Sequence, residues 1–573
     1  MTDADRTPTR HAAILASLAA TYWEEVLRDD PLFATSIGER GHDARLPDPT
    51  AAGRASRRAR AETHLASVRA IPADELSPAD RVTRSALEEA LVGDAARLAT
   101  GIDDWTVDPL EGPQLLLLDV EAFQPVADPA QGRAMVERWR AMGPYVDACA
   151  AELRAALAGG RVAVRTPVLK VLDQLDALAA TPDAEVPLLA PARVEHADWG
   201  APDRDAFRTD LWAAVTESIR PAFGRLRTVL AEEILPAARP DDRPGVCHLG
   251  GGAEAYAGLI RYHTSLEIPA EILHAIGLAE IERIDAEFEE LGGRVLGARD
   301  LEGTLARLRD DPAVHFSSRE EIVEVAEGSL ARARAAIPTT FGILPKADCV
   351  VVRMGSHEEE HSTIAYYRQP AADGSRPGQY FVNTAAPGTR PRYEAEALAF
   401  HESIPGHHLQ IAIAQERDGI PAFRRHLGPT AYFEGWGLYT ERLADEMGLY
   451  SGDLDRFGIL SFDAWRAGRL VVDTGMHAFG WTRGRAIDFM RTHTALGDNN
   501  IANEVDRYIV WPGQALAYKT GQLELMLLRE EARTALGPAF DLRAFHDAVL
   551  GDGAVPLETL RGIITAWAGS LRA

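Results

Sequence analysis

LAFHESIPGHHLQIAIA, residues 398–414, is the stretch on which the reading of this chain turns. His401 and Glu402 stand side by side, and His407 and His408 follow within the same apolar helical pattern. In a metal-binding helix of the ordinary kind, two histidines one turn apart hold zinc, and the glutamate after the first activates a water. The spacing here is longer. A regular helix turns about 100° and rises about 1.5 Å per residue, so His401 and His407 would sit on different faces, about 9 Å apart along the axis. Pro405 offers a break, because it has no N–H for the carbonyl of His401 and its ring clashes there, while Gly406 tolerates unusual dihedrals. The expectation is that the extra residues loop out and His407 arrives opposite the same metal as His401. His408 is the rival ligand.

A catalytic zinc site takes three protein ligands and keeps a fourth position open for water. Glu434, in AYFEGWGLYTERLADEMG at 431–448, is the expected third ligand. That segment reads as an amphipathic helix, with Gly435 where another helix can approach closely. Glu441, two turns later, either supports a ligand from behind or pairs with a nearby arginine at the surface. The segment His357, Glu358, Glu359, Glu360, His361 matches the ordinary two-histidine pattern letter for letter. It lacks apolar flanks and lies between two strand-like runs, so a solvated loop is expected there.

Helical periodicity covers about 10–98, 129–180, 204–235, 268–292, 302–310 and 318–336, with proline and N-cap signals such as Pro31, Pro47, Pro72 and Ser77-Pro78 between or within them. The texture changes at ADCVVVRM (347–354), STIAYY (362–367) and QYFVNT (379–384), which read as strands of a small sheet. Long helices resume from Arg392. The class expected is mostly α with a small β-sheet lining a central cleft. The chain reads as one unit, 1–573, with an amino-terminal helical lobe at 1–340 and a sheet plus metal-binding lobe at 341–573.

A chain of 573 residues with 46% hydrophobic content buries a large core, and no Pro/Gly/Ser-rich linker divides it. The formal net charge of −26 opposes binding to nucleic acid or to an anionic membrane surface, so neither is an expected partner. Cys149, Cys247 and Cys349 are odd in number and far apart, against a disulfide framework or a thiolate metal site. No basic start with an apolar run opens the sequence, and no later run has the roughly 20 apolar residues of a membrane span. A cytoplasmic protein is the expectation.

With HESIPGHHLQ at 401–410, EGWGLYTE at 434–441, DTGMHAFGW at 473–481, EVDRYIVWPGQALAYKTG at 504–521 and LRDDPLFATSIG at 27–38, the chain resembles the bacterial domain-of-unknown-function 885 family over nearly its whole length. The resemblance implies a large helical zincin-like metallopeptidase fold. It implies His401 and His407 as metal ligands and Glu402 as base, with Glu434 matching the downstream glutamate, and one zinc ion as cofactor. Many relatives are secreted lipoproteins, and this chain lacks their signal. The resemblance supplies no substrate.

Hydrolysis also needs a donor for the oxyanion that develops on the attacked carbonyl. Tyr518 is the expected donor, placed by the Pro512-Gly513 turn ahead of it, with Tyr508 and His477 as alternates. The strand with Asn383 is expected to take an extended peptide at a sheet edge. Lys519 and Arg529 are expected to hold a substrate carboxylate. The function read from these residues is a zinc-dependent hydrolase of short peptides or a terminal amide bond, its partner a small peptide or amide substrate. A tailoring enzyme acting on a non-peptide amide or ester and a metal-stabilised binding protein without turnover are the alternatives.

Overall fold

A computed structural model describes residues 9–355, 359, 363–371, 374 and 376–572. His357, Glu358, Glu360 and His361 of the ordinary-pattern segment lie outside the described residues.

Helices dominate, and their starts follow local chemistry. The first, α1 (Arg10–Asp29), begins where the Thr9 hydroxyl accepts from the Ala12 N–H. Thr50 does the same for α2 (Ala51–Arg69), and Ser77, followed by Pro78, for α3 (Pro78–Thr100). A side-chain acceptor there satisfies one of the N–H groups that a first turn leaves free. Next come α4 (Pro129–Ala158), α5 (Arg165–Ala180), a helical run through 201–237, α6 (Gly252–Thr264), α7 (Ala270–Val295) and α8 (Arg319–Thr340). Apolar side chains between Leu32 and Ile234 close on one another as a cluster of their own, around Trp139 and Met142.

Three short strands follow: β1 (Cys349–Arg353), β2 (Ala365–Arg368) and β3 (Gly378–Val382). Their order is β1–β3–β2, with β3 parallel to β1 and antiparallel to β2. Tyr380 and Val382 of β3 and Cys349 of β1 share a core with Phe400, Ile404 and Leu409, so the sheet lies against the 398–414 segment.

That segment forms two helices, α9 (Ala395–Glu402) and α10 (His407–Gln415). After them run α11 (Thr430–Glu446), α12 (Phe457–His477), α13 (Asp498–Val510) and α14 (Ala517–Leu536). A helix apolar on one face faces solvent with the other, whereas one covered all round sits inside the protein. α12 is of the second kind, buried along its length apart from the half-buried Trp465, and it carries Asp463, Arg466, Arg469 and Asp473 inward with it. It packs closely on α7, where a Cβ at Gly277 would lie 2.8 Å from the Leu470 side chain. No described helix is long and apolar enough to cross a membrane.

Candidate metal centre

The site is built on the interruption between α9 and α10. Ser403 still donates its N–H to the Ala399 carbonyl at 2.9 Å, and the chain then leaves helical dihedrals at Ser403 (φ −107°, ψ −110°) and again at Gly406 (φ −79°, ψ −128°). The Ile404–Pro405 peptide between them is cis. Helix resumes when the His408 N–H reaches the Ser403 carbonyl at 3.0 Å. Gly406 is required by close approach: a Cβ there would stand 1.9 Å from the His401 carbonyl oxygen. The Trp436 indole donates to the Pro405 carbonyl at 3.0 Å, which pins the interruption to α11.

By this route His401 and His407 face one another, ring centroids 4.7 Å apart and planes at 86°. Glu434 of α11 completes the group. Its Oε2 lies 3.5 Å from Nε2 of His401 and 3.5 Å from Nε2 of His407, and the three ligand atoms all fall within 4.8 Å of one another. Tetrahedral zinc with ligands at 2.0–2.2 Å separates its donors by about 3.4 Å, so spacing and donor chemistry both fit one such ion.

His401 is held from behind as well, its Nδ1 being 2.7 Å from Oε1 of the buried Glu441. A carboxylate on the far nitrogen fixes which nitrogen is free to bind metal. Burial pulls the His401 imidazole down, but the hydrogen bonds to Glu434 and Glu441 overcome it and push the group up to about 10. Burial likewise raises the Glu434 carboxyl, and the two imidazoles more than reverse that, leaving it well below the usual range. Glu402, next to His401 and half-buried, makes no hydrogen bond or ion pair among the described residues, so its carboxylate is free to accept a proton.

Two glycines of the EGWG motif set the closeness of these parts. Gly435 meets Gly521 of α14, where a Cβ would lie 2.4 Å from the Gly521 Cα, and the sequence marks that position. Gly437 went unmarked: a Cβ there would come 2.7 Å from His401 Nε2 and drive the ring aside. Its signal was present, since it stands three residues after Glu434 and so shares that residue's helix face.

The other expected site residues are placed differently. His408 is apart from the cluster, with Nδ1 3.0 Å from the Tyr367 hydroxyl and Nε2 3.1 Å from the Ala347 carbonyl; both nitrogens serve the sheet. Asn383 donates inward, to the carbonyls of Glu359 and Thr363. The strand before it, β3, is the middle strand with both edges paired, so it has no free edge for a peptide. The buried Lys519 ammonium reaches Asp463 at 2.5 Å, Gln522 at 2.8 Å and Glu280 at 2.8 Å, and Arg529 pairs with Glu446. Neither is available to a substrate. His477 bridges the Val246 N–H and the Tyr508 carbonyl deep in the core.

Tyr518 stands near the cluster by helix register. α14 runs parallel to α11, with Gly521 on Gly435, Gln522 donating to the Leu438 carbonyl and Arg529 on Glu446. Tyr518, one turn before Gln522, therefore lies along the first turns of α11, the part that carries Glu434. Its ring lies 4.4 Å from the Arg469 guanidinium and 5.7 Å from that of Arg466, and its hydroxyl accepts from Arg507 at 3.4 Å. Tyr508 donates to Glu504 at 2.6 Å within the same arginine-rich corner.

A large helical chain with a His/His/Glu group spread over a helix break and a neighbouring helix defines the kind of protein. The chain belongs to the family of bacterial proteins of unknown function called DUF885, whose model matches residues 31–564. It is similar to the crystal structure of a protein from Colwellia psychrerythraea described as a "putative lipoprotein", at 25% identity and a TM-score of 0.90, covering 98% of this chain and 100% of that one. It is also similar to a "putative lipoprotein of unknown function" from Shewanella oneidensis, at 19% identity and a TM-score of 0.73, covering 96% of this chain and 99% of that one. No curated protein matches the chain.

These likenesses overturn the cytoplasmic placement read from the sequence, because both neighbours are described as lipoproteins, a class tethered at a membrane by attached lipid.

Proposed function

We propose that the protein is a zinc-dependent hydrolase of zincin type, cleaving short peptides or a terminal amide bond. The observation that carries the reading is the convergence of His401, His407 and Glu434 on one point, at separations that suit a single zinc, with Glu402 unpaired beside them. Zinc held by those three residues supplies Lewis acidity to a water and to a carbonyl. Glu402 takes the proton from the attacking water and later delivers it to the leaving amine. Glu441, bonded to Nδ1, holds the His401 ring so that Nε2 is the nitrogen that would bind a metal shared with His407 and Glu434. Tyr518, on the adjoining helix along the first turns of α11, is the donor to the developing oxyanion. The likeness to two proteins described as lipoproteins favours a membrane-tethered setting for this chemistry.

The test is metal analysis of the purified chain together with digestion of a peptide library read by mass spectrometry. One zinc per chain and cleavage products that vanish on chelation and return with zinc are expected. A chain that takes up no divalent metal, or a metal-loaded chain that cleaves no amide or ester, ends the reading.

A further inference from the structure

Arginine is always charged, and its planar fork matches a carboxylate in a two-pronged hydrogen bond. A buried arginine is therefore expected to find an anion. Lys519 and Arg529 do so within the protein, but Arg466 does not. Arg466 lies on α12 and is 5% exposed, yet it makes no hydrogen bond or ion pair among the described residues, and its Nε and Nη1 are both buried without a partner. Aromatic rings surround it instead: Phe462 and Trp465 at 4.5 Å each, and Tyr518 at 5.7 Å.

Its position relative to the metal centre follows from three neighbours. Tyr518 lies along the first turns of α11, the part that carries Glu434. Burial raises the Glu441 carboxyl, and Arg466 is among the charges that pull it back, as it is for Glu394 at the foot of α9. Arg466 is thus in contact with the ring of Tyr518 and within electrostatic reach of Glu441, the residue behind His401, and of Glu394.

Further arginines stand near it. Arg469 and Arg507 lie against the same Tyr518, and among the described residues Glu504 is the one carboxylate bonded to either. Glu504 is already shared among Arg469, Arg507, Tyr508 and Trp465. Nη1 of Arg469 and Nε of Arg507 are also buried without partners. In a chain whose formal net charge is −26, this corner gathers three arginines, each with a buried nitrogen that has no hydrogen-bond partner among the described residues.

We propose that Arg466 is a subsite that holds a carboxylate of the substrate next to His401, His407 and Glu434. The substrate class is then a carboxylate-bearing peptide or acylated amino acid, and the carboxylate replaces the missing partner of a cation already desolvated by the fold. The inference rests on the metallohydrolase reading for its substrate, while its test reads binding and does not depend on turnover.

The full chain with Glu402→Gln, loaded with zinc, is titrated calorimetrically with N-acetyl-trialanine and with the same peptide ending in a carboxamide. A third peptide carries the carboxamide end and an internal glutamate, which separates recognition of a terminal carboxylate from that of an acidic side chain. The free acid, or the glutamate peptide, is expected to bind at least ten-fold more tightly than the plain carboxamide. Arg466→Gln is expected to erase that preference and Arg466→Lys to keep part of it, with a thermal midpoint for the lysine variant close to that of the parent. Equal binding of all three peptides by the parent, absence of binding by any, or an undiminished preference in the lysine and glutamine variants overturns the proposal. A chain that prefers carboxylates but never cleaves them loses the hydrolase reading and keeps the subsite; one that cleaves acids and amides alike does the reverse.

Discussion

One helix, α11, carries two buried charged groups that are built on opposite terms. Near its start Glu434 meets His401 and His407, whose nitrogens and oxygen point at one another's space without closing a network of short bonds. Two turns later Arg442 joins Asp463, Lys519, Arg283 and Glu280, where the central carboxylate is shared among three cations. Burial raises the Asp463 carboxyl, but those cations hold it far below the usual carboxylate range. The second group is complete in itself and fixes helix to helix; the first leaves its facing nitrogens and oxygen 3.5 Å apart. A cluster of buried charges is a candidate site when its members fail to satisfy one another.

The sharpest way to break this contrast is at Glu402, which belongs to neither network. Glu402→Gln is expected to lower turnover of any cleaved peptide by about 10²–10⁴-fold, the usual worth of a positioned acid–base group, with zinc content unchanged by elemental analysis. Unchanged turnover would place the reaction elsewhere. The opposite effect is expected in the saturated group. Lys519→Met leaves a buried ion network short of one cation and should cost about 3–5 kcal/mol in urea unfolding, again with zinc content unchanged. If zinc is lost as readily as stability, the two groups are one system.

A carboxyl lying between the two in character sharpens the comparison by pH. Asp473 on α12 is fully buried and accepts from the Tyr256 hydroxyl at 2.5 Å and the Gly513 N–H at 3.1 Å. Burial outweighs those bonds and pushes the group up to about 7. With a folded pKa above its unfolded value near 3.9, the native chain holds more protons between those limits, so this contribution to stability is full below about pH 4 and is lost as pH rises through about 7. Asp473→Asn is expected to flatten that part of the stability profile, by an amount on the order of 4 kcal/mol between the two ends. A slope unchanged in the variant assigns it to other groups. The smallest effect concerns Glu441, where Glu441→Gln is expected to weaken zinc affinity about 10–100-fold in a competition titration while leaving the fold intact. No change there would make the carboxylate behind His401 a structural pair alone.

Much of this was legible along the chain because it is local. Helix periodicity, the start signal at Ser77-Pro78, and the break forced by Pro405 and Gly406 depend on residues a few positions apart. What failed to show depends on partners distant in sequence. Whether a strand is central or at an edge is decided by its neighbours, so Asn383 looked accessible while β3 was in fact paired on both sides. Lys519 and Arg529 read as free cations because Asp463, Glu280 and Glu446 lie far from them in the chain. Arg466 belongs to no motif in the chain; its burial against three rings is what sets it apart.

The four residues between α9 and α10 have a consequence for how this chain can change over time. Substitutions within them alter side chains, but a single inserted or deleted residue would change the span and direction of the joint between the two helices and shift the His407 ring from its counterpart. Length at that point is therefore as much an inherited requirement as lettering, and the joint behaves like a ratchet with one working tooth.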